Sequence, residues 1–298
     1  NKNDSFFTGT GYVTITTGTC ILPGITSATA AASPICSNTT TTLTANGVVG
    51  TNTVVTWWSG TGGTGTNYGT GLTLTNAGSG TYYARATGDC GSPAEASVTV
   101  EVRPTPTATI SGTTSLCQNG VSPNVTFTNP QTLPVTITFN TNGSNQTTVN
   151  VPASSSATVA APTSTAGTSA YNLVSVAYQT APNCSNTITG TATITVNALP
   201  VPSLAPASSN SCQNDDLTYS TDPSQTNYNW AFPGSVLNTD YTIIAGGGTT
   251  NNTVTIKWLT AGSKTVAINY NNGFGCSGAT PTNSTTTVNP IPVMGSFN

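Results

Sequence analysis

The sequence predicts an all-β protein made of small sandwich modules in tandem, and three observations carry that prediction. Short runs rich in Val, Ile, Thr, Tyr and Trp alternate with period two, the pattern of strands that bury one face. No stretch reads as a helix longer than a turn. A single frame also occurs three times: Cys-x-Asn, then Cys beside Gly or Ser, then an alternating Thr/Val strand that runs into Pro-x-Pro. The frame opens at Cys36-Ser37-Asn38, Cys117-Gln118-Asn119 and Cys212-Gln213-Asn214, and its late cysteines are Cys90, Cys184 and Cys276. Pro104-Thr105-Pro106, Pro200-Val201-Pro202 and Pro290-Ile291-Pro292 close it. A period of roughly 80 to 95 residues is one small domain per repeat.

Taken in order, residues 1–24 read as the end of a preceding module or an extra edge strand, because Gly11–Cys20 echoes Thr81–Cys90. Residues 25–103 form the first complete module, with strands at Thr40–Ala45 and Val54–Trp58, and with Trp57 on the core face. Gly78-Ser79-Gly80-Thr81-Tyr82 reads as a corner in which the Tyr82 hydroxyl bonds back to the chain. Residues 104–197 carry alternating runs at Asn124–Thr128, Val135–Phe139, Thr147–Val151 and Tyr171–Val176; lacking Trp, this module must fill its centre with Phe127, Ile137, Phe139, Tyr171 and Val176. Residues 198–289 place Tyr228, Trp230, Phe232 and Trp258 in a third core, and residues 290–298 are a linker or the start of another module. Proline fixes φ and extends its predecessor, so the linkers are short semi-rigid spacers and the modules are expected to line up as an extended rod.

Composition narrows the function. Of 298 residues only 4% are charged and the net charge is −3, with five basic residues scattered along the chain. Such a surface is wetted by hydroxyls and amides and cannot neutralise a phosphate backbone, which argues against nucleic acid as a partner. Neither a bilayer-length apolar run nor a basic amphipathic helix is present, which argues against membrane insertion.

Seven cysteines with no histidine and no Cys-x-x-Cys point to disulfides and an oxidising, extracellular compartment. Joining Cys36 to Cys90, Cys117 to Cys184 and Cys212 to Cys276 makes each module self-sufficient and leaves Cys20 to a partner upstream. The alternative joins each late cysteine to the early cysteine of the preceding module, because the two positions can lie at opposite ends of a sandwich.

Catalytic and cofactor chemistry finds little support. Without histidine there is no Ser-His-Asp or Cys-His machinery, and the eight acidic residues are scattered. Asp215-Asp216 with Asp222 is an acidic cluster of the kind calcium uses, but it lacks a recognised loop spacing, and turn-forming Asp explains it as well. Trp58, Tyr68 and Tyr83 are the candidate ligand platform, since exposed aromatic rings suit a sugar face; the plainer reading covers Trp58 with a loop.

These residues carry a family resemblance. The first module resembles immunoglobulin-like repeats through Trp57, Gly62-Gly63 and Gly80-Thr81-Tyr82-Tyr83-Ala84-Arg85. The third resembles polycystic-kidney-disease-type (PKD-like) modules through Tyr228-Asn229-Trp230-Ala231-Phe232 and Gly273-Phe274-Gly275-Cys276-Ser277. The second, through Pro106–Cys117, Tyr171–Val176 and Thr191–Asn197, is similar to tandem modules of very large Bacteroidota surface proteins.

The resemblance implies immunoglobulin-like/PKD-like β-sandwich modules in a non-catalytic stalk exported by the type IX system, as in SprB-like gliding-motility adhesins. Its partners would be other surface proteins, glycans or abiotic surfaces, the neighbouring modules of the chain, or further copies in a filament. Two other functions fit the residues: carbohydrate-binding accessory modules of a secreted polysaccharide-degrading enzyme, and a filament subunit that exchanges residues 1–19 as a strand.

Overall fold

The computed structural model describes residues 18–292, which are all-β apart from one short 3-10 turn at Thr61–Gly63. The strand reading of residues 1–17 and the fate of residues 293–298 lie outside the described residues. By internal contacts the chain divides into two units: one runs to Pro106 and takes in Ala177–Asn186, the other comprises Thr107–Val176 and Thr187 onward.

In the first unit, strands Ser27–Ala30, Thr41–Asn46 and Thr73–Ala77 form one antiparallel sheet. Thr64–Thr70, Val54–Gly60, Gly80–Thr87 and Ala94–Val100 form the sheet that covers it. Alternation turns Leu43, Ala45, Val55, Trp57, Tyr82, Ala84, Ala86 and Val100 into a common core, in which Leu43 and Trp57 are fully buried. The expected corner is present, with the Tyr82 hydroxyl donating to the Gly78 carbonyl at 3.2 Å.

The second unit holds two further two-sheet arrangements. One pairs Thr109–Ser111, Asn124–Asn129 and Ser155–Ala160 in one sheet. Its other sheet is built from Thr114–Cys117, Thr191–Asn197, residues 167–176 of the strand Gly167–Tyr178, Val135–Thr141 and Ser144–Val151. Phe127, Ile137, Phe139, Tyr171 and Val176 are buried, and the rings of Phe127 and Phe139 lie 4.6 Å apart, so these residues do supply the centre of a module without Trp.

The other arrangement sets Asp216–Ser220, Thr253–Trp258 and Tyr241–Gly246 against Ser208–Cys212, Thr282–Asn289, Gly262–Asn271 and Thr226–Ala231. Trp258, Tyr219, Ile256 and Ile268 are fully buried there, with Tyr228 nearly so; Trp230 and Phe232 are partly buried and pack against them.

The outward faces explain how so few charges suffice. Threonine and serine hydroxyls pair across strands at Thr81 and Thr99 (3.1 Å), Thr128 and Ser156 (2.9 Å), and Thr218 and Thr255 (2.8 Å). Each pair satisfies itself while leaving lone pairs for water, the usual cross-strand unit of sheet stability.

The repeated Cys-x-Asn has a backbone cause. Asn38, Asn119 and Asn214 adopt φ of 61°, 62° and 71°, the left-handed region that asparagine tolerates best after glycine. The turn closes with the next amide donating back to the cysteine carbonyl: Thr39 to Cys36 at 3.1 Å, Gly120 to Cys117 at 3.0 Å and Asp215 to Cys212 at 3.2 Å. The motif therefore ends a short strand and holds the cysteine at its tip.

Cysteine pairing departs from the self-sufficient scheme. The bonds are Cys20–Cys90, Cys36–Cys184 and Cys117–Cys276, while Cys212 is free and exposed. Strand direction gives the reason. Each early cysteine ends a strand that runs parallel to its module's last strand, opposite the residue where the chain leaves: Cys36 beside Arg103, Cys117 beside Asn197, Cys212 beside Asn289. Each late cysteine sits before that last strand begins. Within one unit, as for Cys36 with Cys90 and Cys212 with Cys276, the two are thus a strand length apart, roughly 25–30 Å at about 3.3 Å per residue, far beyond the ~4.4–6.8 Å that a disulfide spans between Cα atoms. Cys90 meets Cys20 instead, so Cys20 needs no partner upstream.

Candidate functional sites: cross-linked junctions and an aromatic pair

Two sites emerge from the fold: the junctions where one repeat's cysteine is bonded to the next repeat's hairpin, and the outer face of the first sandwich. The junction in the first unit is built around Cys36–Cys184, whose Cα atoms are 5.4 Å apart. Arg103, opposite Cys36 in the parallel ladder, reaches the same hairpin. Its guanidinium donates to the carbonyls of Thr180 (2.6 Å) and Pro182 (3.0 Å), with a longer contact to the Thr180 hydroxyl (3.3 Å). It also lies 5.4 Å from the centroid of the Tyr178 ring, within cation–π range. Asn186 completes the cluster by donating to the Pro106 carbonyl at 3.0 Å.

The junction within the second unit repeats the covalent part and changes the rest. Cys117–Cys276 brings its Cα atoms to 5.5 Å. Asn272 donates to the Ala198 carbonyl at 3.0 Å, as Asn186 does to Pro106. The linker prolines then pack closely against the hairpin: a Cβ added at Gly278 would stand 3.1 Å from the Pro200 carbonyl oxygen and 3.2 Å from Pro202 Cδ. Beyond the linker, Asp222 accepts from the Ser203 amide (2.7 Å), the Ser203 hydroxyl (2.7 Å) and the Tyr270 hydroxyl (2.6 Å). The Tyr270 hydroxyl and the Ser203 donors hold the Asp222 carboxyl below the usual carboxylate range.

Asp222 is thereby a structural acceptor, and Asp216 pairs with Lys257 at 3.4 Å, so the sequence-predicted acidic cluster divides between separate tasks. Arg103 was not singled out from the sequence, and Asp222 was read only as part of an acidic cluster, not as an anchor for a linker. Their nearest signal was position: one immediately precedes a Pro-x-Pro and the other belongs to a cluster that turn formation also explained.

On the outer face of the first sandwich, Trp58 and Tyr83 are directly opposite one another in adjacent strands, and both are partly buried. The Trp58 indole donates to the Thr56 hydroxyl at 2.8 Å. The Thr61–Gly63 turn folds toward this face: the Gly62 amide donates to Glu95 at 2.9 Å, Glu95 pairs with Arg85 at 3.7 Å, and Gly63 sits beside Arg85 and Trp58. Tyr68 belongs elsewhere. Its ring lies 5.1 Å from that of the core residue Tyr82, on the face opposite Tyr83. Of the three residues considered as a platform, the structure brings together two.

Comparison with known proteins agrees with the fold. No curated protein matches the chain. A calcium-stabilised adhesin that helps an Antarctic bacterium reach out and bind ice aligns over 91% of this chain and 76% of its own, at 14% identity and a TM-score of 0.51. The I9–I11 tandem of titin aligns over 89% of this chain and all of its own, at 13% identity and a TM-score of 0.34. Invasin, a bacterial integrin-binding protein, aligns over 90% of this chain and 61% of its own, at 14% identity and a TM-score of 0.37. The adhesin alignment, at 14% identity and a TM-score of 0.51, speaks for the fold alone. Residues 23–104 match the family model described as "Ig-like domain CHU_C associated", so the chain is an all-β tandem whose first sandwich is an Ig-like module.

Proposed function

We propose that this chain is a non-catalytic stalk segment of an extracellular adhesin, built to carry tension between a cell surface and whatever the adhesin grips. The observation that carries this reading is the overlap of the disulfide loops. Between Cys20 and Cys276 the shortest covalent path crosses the Cys20–Cys90 bond, follows the 27 residues from Cys90 to Cys117, and crosses the Cys117–Cys276 bond. Only that stretch can be drawn out, to about 90–100 Å at ~3.3–3.6 Å per residue. Everything else is shielded from the pull.

Such a cross-linking scheme suits a segment whose task is to keep its length under load. The match of residues 23–104 to a bacterial-type Ig-like family supports a place in a surface protein. Within that reading, the modular resemblance supports a type IX-exported adhesin of the gliding kind, with the third sandwich a PKD-like module.

Pulling single molecules by their two ends tests the mechanics. Reduction of the disulfides should lengthen the fully stretched chain by roughly 800 Å, counted at ~3.3–3.6 Å per residue. Equal stretched lengths with and without reductant would remove the basis for the stalk. Antibodies to the chain should also decorate intact cells, and labelling confined to lysed cells would contradict the surface assignment.

A second reading, glycan binding, is favoured by the adjacency of Trp58 and Tyr83. Binding to a glycan array that disappears in Trp58→Ala would support it, and an array without signal would leave the stalk alone.

A further inference from the structure

Cys212 is the one cysteine of the described residues outside a disulfide, and its surroundings duplicate those of a bonded one. Cys117 and Cys212 each end a strand parallel to the last strand of their sandwich, facing Asn197 and Asn289. The following glutamine amide donates to that asparagine's carbonyl in both, at 2.8 Å for Gln118 and 2.8 Å for Gln213. The next amide donates across the sandwich in both, Asn119 to Thr163 and Asn214 to Trp258, each at 2.8 Å. The glutamine side chain donates to the residue after that acceptor in both, Gln118 to Ser164 at 2.7 Å and Gln213 to Leu259 at 2.5 Å. Cys36 shares the parallel strand and the left-handed turn. Two of the three copies of this position are bonded, each to the hairpin of the repeat that follows.

A chain of hydrogen bonds also links Gln213, next to Cys212, to a loop with exposed apolar residues. Leu259, which accepts from Gln213, donates its amide to the Asp240 carbonyl, and Asp240 in turn caps the Val236 amide at 3.0 Å. The loop so held exposes Val236 (61%) and Leu237 (48%), and Ile291 (51%) follows the last strand.

We infer that Cys212 is a cross-linking site for the hairpin cysteine of a further sandwich module of this type, located about 150–160 residues further along the full protein, as Cys184 is from Cys36 and Cys276 from Cys117. The reaction is thiol–disulfide exchange: the Cys212 thiolate attacks a disulfide carried by the cell's oxidising machinery, releases one of its thiols, and the mixed disulfide is resolved by the incoming cysteine. One disulfide is consumed for the one formed. The site stands whether or not the protein proves to be a stalk.

Peptide mapping of the native, full-length protein without reduction tests it. Free thiols are first blocked with iodoacetamide. Cys212 should then escape alkylation entirely and appear joined to a cysteine that precedes the last strand of another module. Alkylated Cys212, a bond to Cys212 of a second copy, or a bond to a small thiol would each overturn the inference. In Cys212→Ser, the partner cysteine should change from fully protected to fully alkylated. Its continued protection would likewise rule the site out.

Discussion

The two described junctions share a disulfide and an asparagine that caps the linker, yet they are finished with opposite chemistry. The first gathers carbonyls around a cation, Arg103, and adds the Tyr178 ring. The second packs prolines against Gly278 and anchors the chain after the linker on an anion, Asp222. What repeats is what fixes the connection; what differs is the chemistry that holds each linker. A covalent link needs only a cysteine at the right strand end, whereas the contacts around it depend on which side chains each linker happens to present.

The largest difference should come from removing the shared part. Cys36→Ser and Cys117→Ser each open a loop of 148 or 159 residues, for which chain entropy gives a contribution of up to about 5 kcal/mol, with about 2–4 more typical of measured bonds. Thermal melting of each variant against the parent measures this. If the junctions are equivalent in their covalent part, the two losses agree to within about 1 kcal/mol, because loop entropy varies only with the logarithm of length.

Much of this architecture is written in the sequence, and the part that is not has a physical explanation. Alternation alone places Trp57, Phe127, Ile137 and Trp258 inside, since burial of one face is a local property of a strand. The tyrosine corner is legible because its bond spans four residues. Cysteine pairing is harder: spacing reports loop length but not strand direction, and it takes the parallel ladders of Cys36 with Arg103, Cys117 with Asn197 and Cys212 with Asn289 to show that an early cysteine stands at the exit end. Each late cysteine is followed by a whole strand before Pro-x-Pro, and that was the available signal. The contact of Arg103 with a hairpin 77 residues away has no local signature, and neither does the separation of Tyr68 from Trp58 and Tyr83, which follows from a register shift in the strand that carries Tyr68.

The intermediate effect should be confined to the first junction. Arg103→Ala removes two charge-assisted bonds to carbonyls and the ring contact, a loss of about 1–2 kcal/mol for a partly exposed cluster. Amide exchange in Ala177–Asn186 should speed up by roughly 5- to 30-fold, the equivalent of that loss, while amides near Gly278 stay unchanged. Arg103→Lys keeps the charge but not the fork that reaches both carbonyls, so it should behave more like Ala than like the parent. Equal acceleration at both junctions would mean that the cation is not a local fastener.

Acid should sharpen the contrast in the other direction, with the smallest effect. The Asp222 carboxyl is held below its ordinary value chiefly by the Tyr270 hydroxyl, with the Ser203 amide and hydroxyl adding to it. A carboxylate whose folded value is depressed stabilises the fold fully above the unfolded value, near 4, and the contribution disappears as pH falls through the folded value. The bonds that fasten the first junction run from a guanidinium to carbonyls, with no carboxylate among them. Amide exchange around Ser203 and the second linker should therefore quicken below about pH 4, while the Ala177–Asn186 hairpin shows no matching change. Asp222→Asn retains an acceptor for Tyr270 but has no proton to gain, so it should weaken the second linker's anchor at neutral pH and abolish its response to acid. A parent protein whose two junctions loosen in step on acidification would show that Asp222 does not set the difference between them.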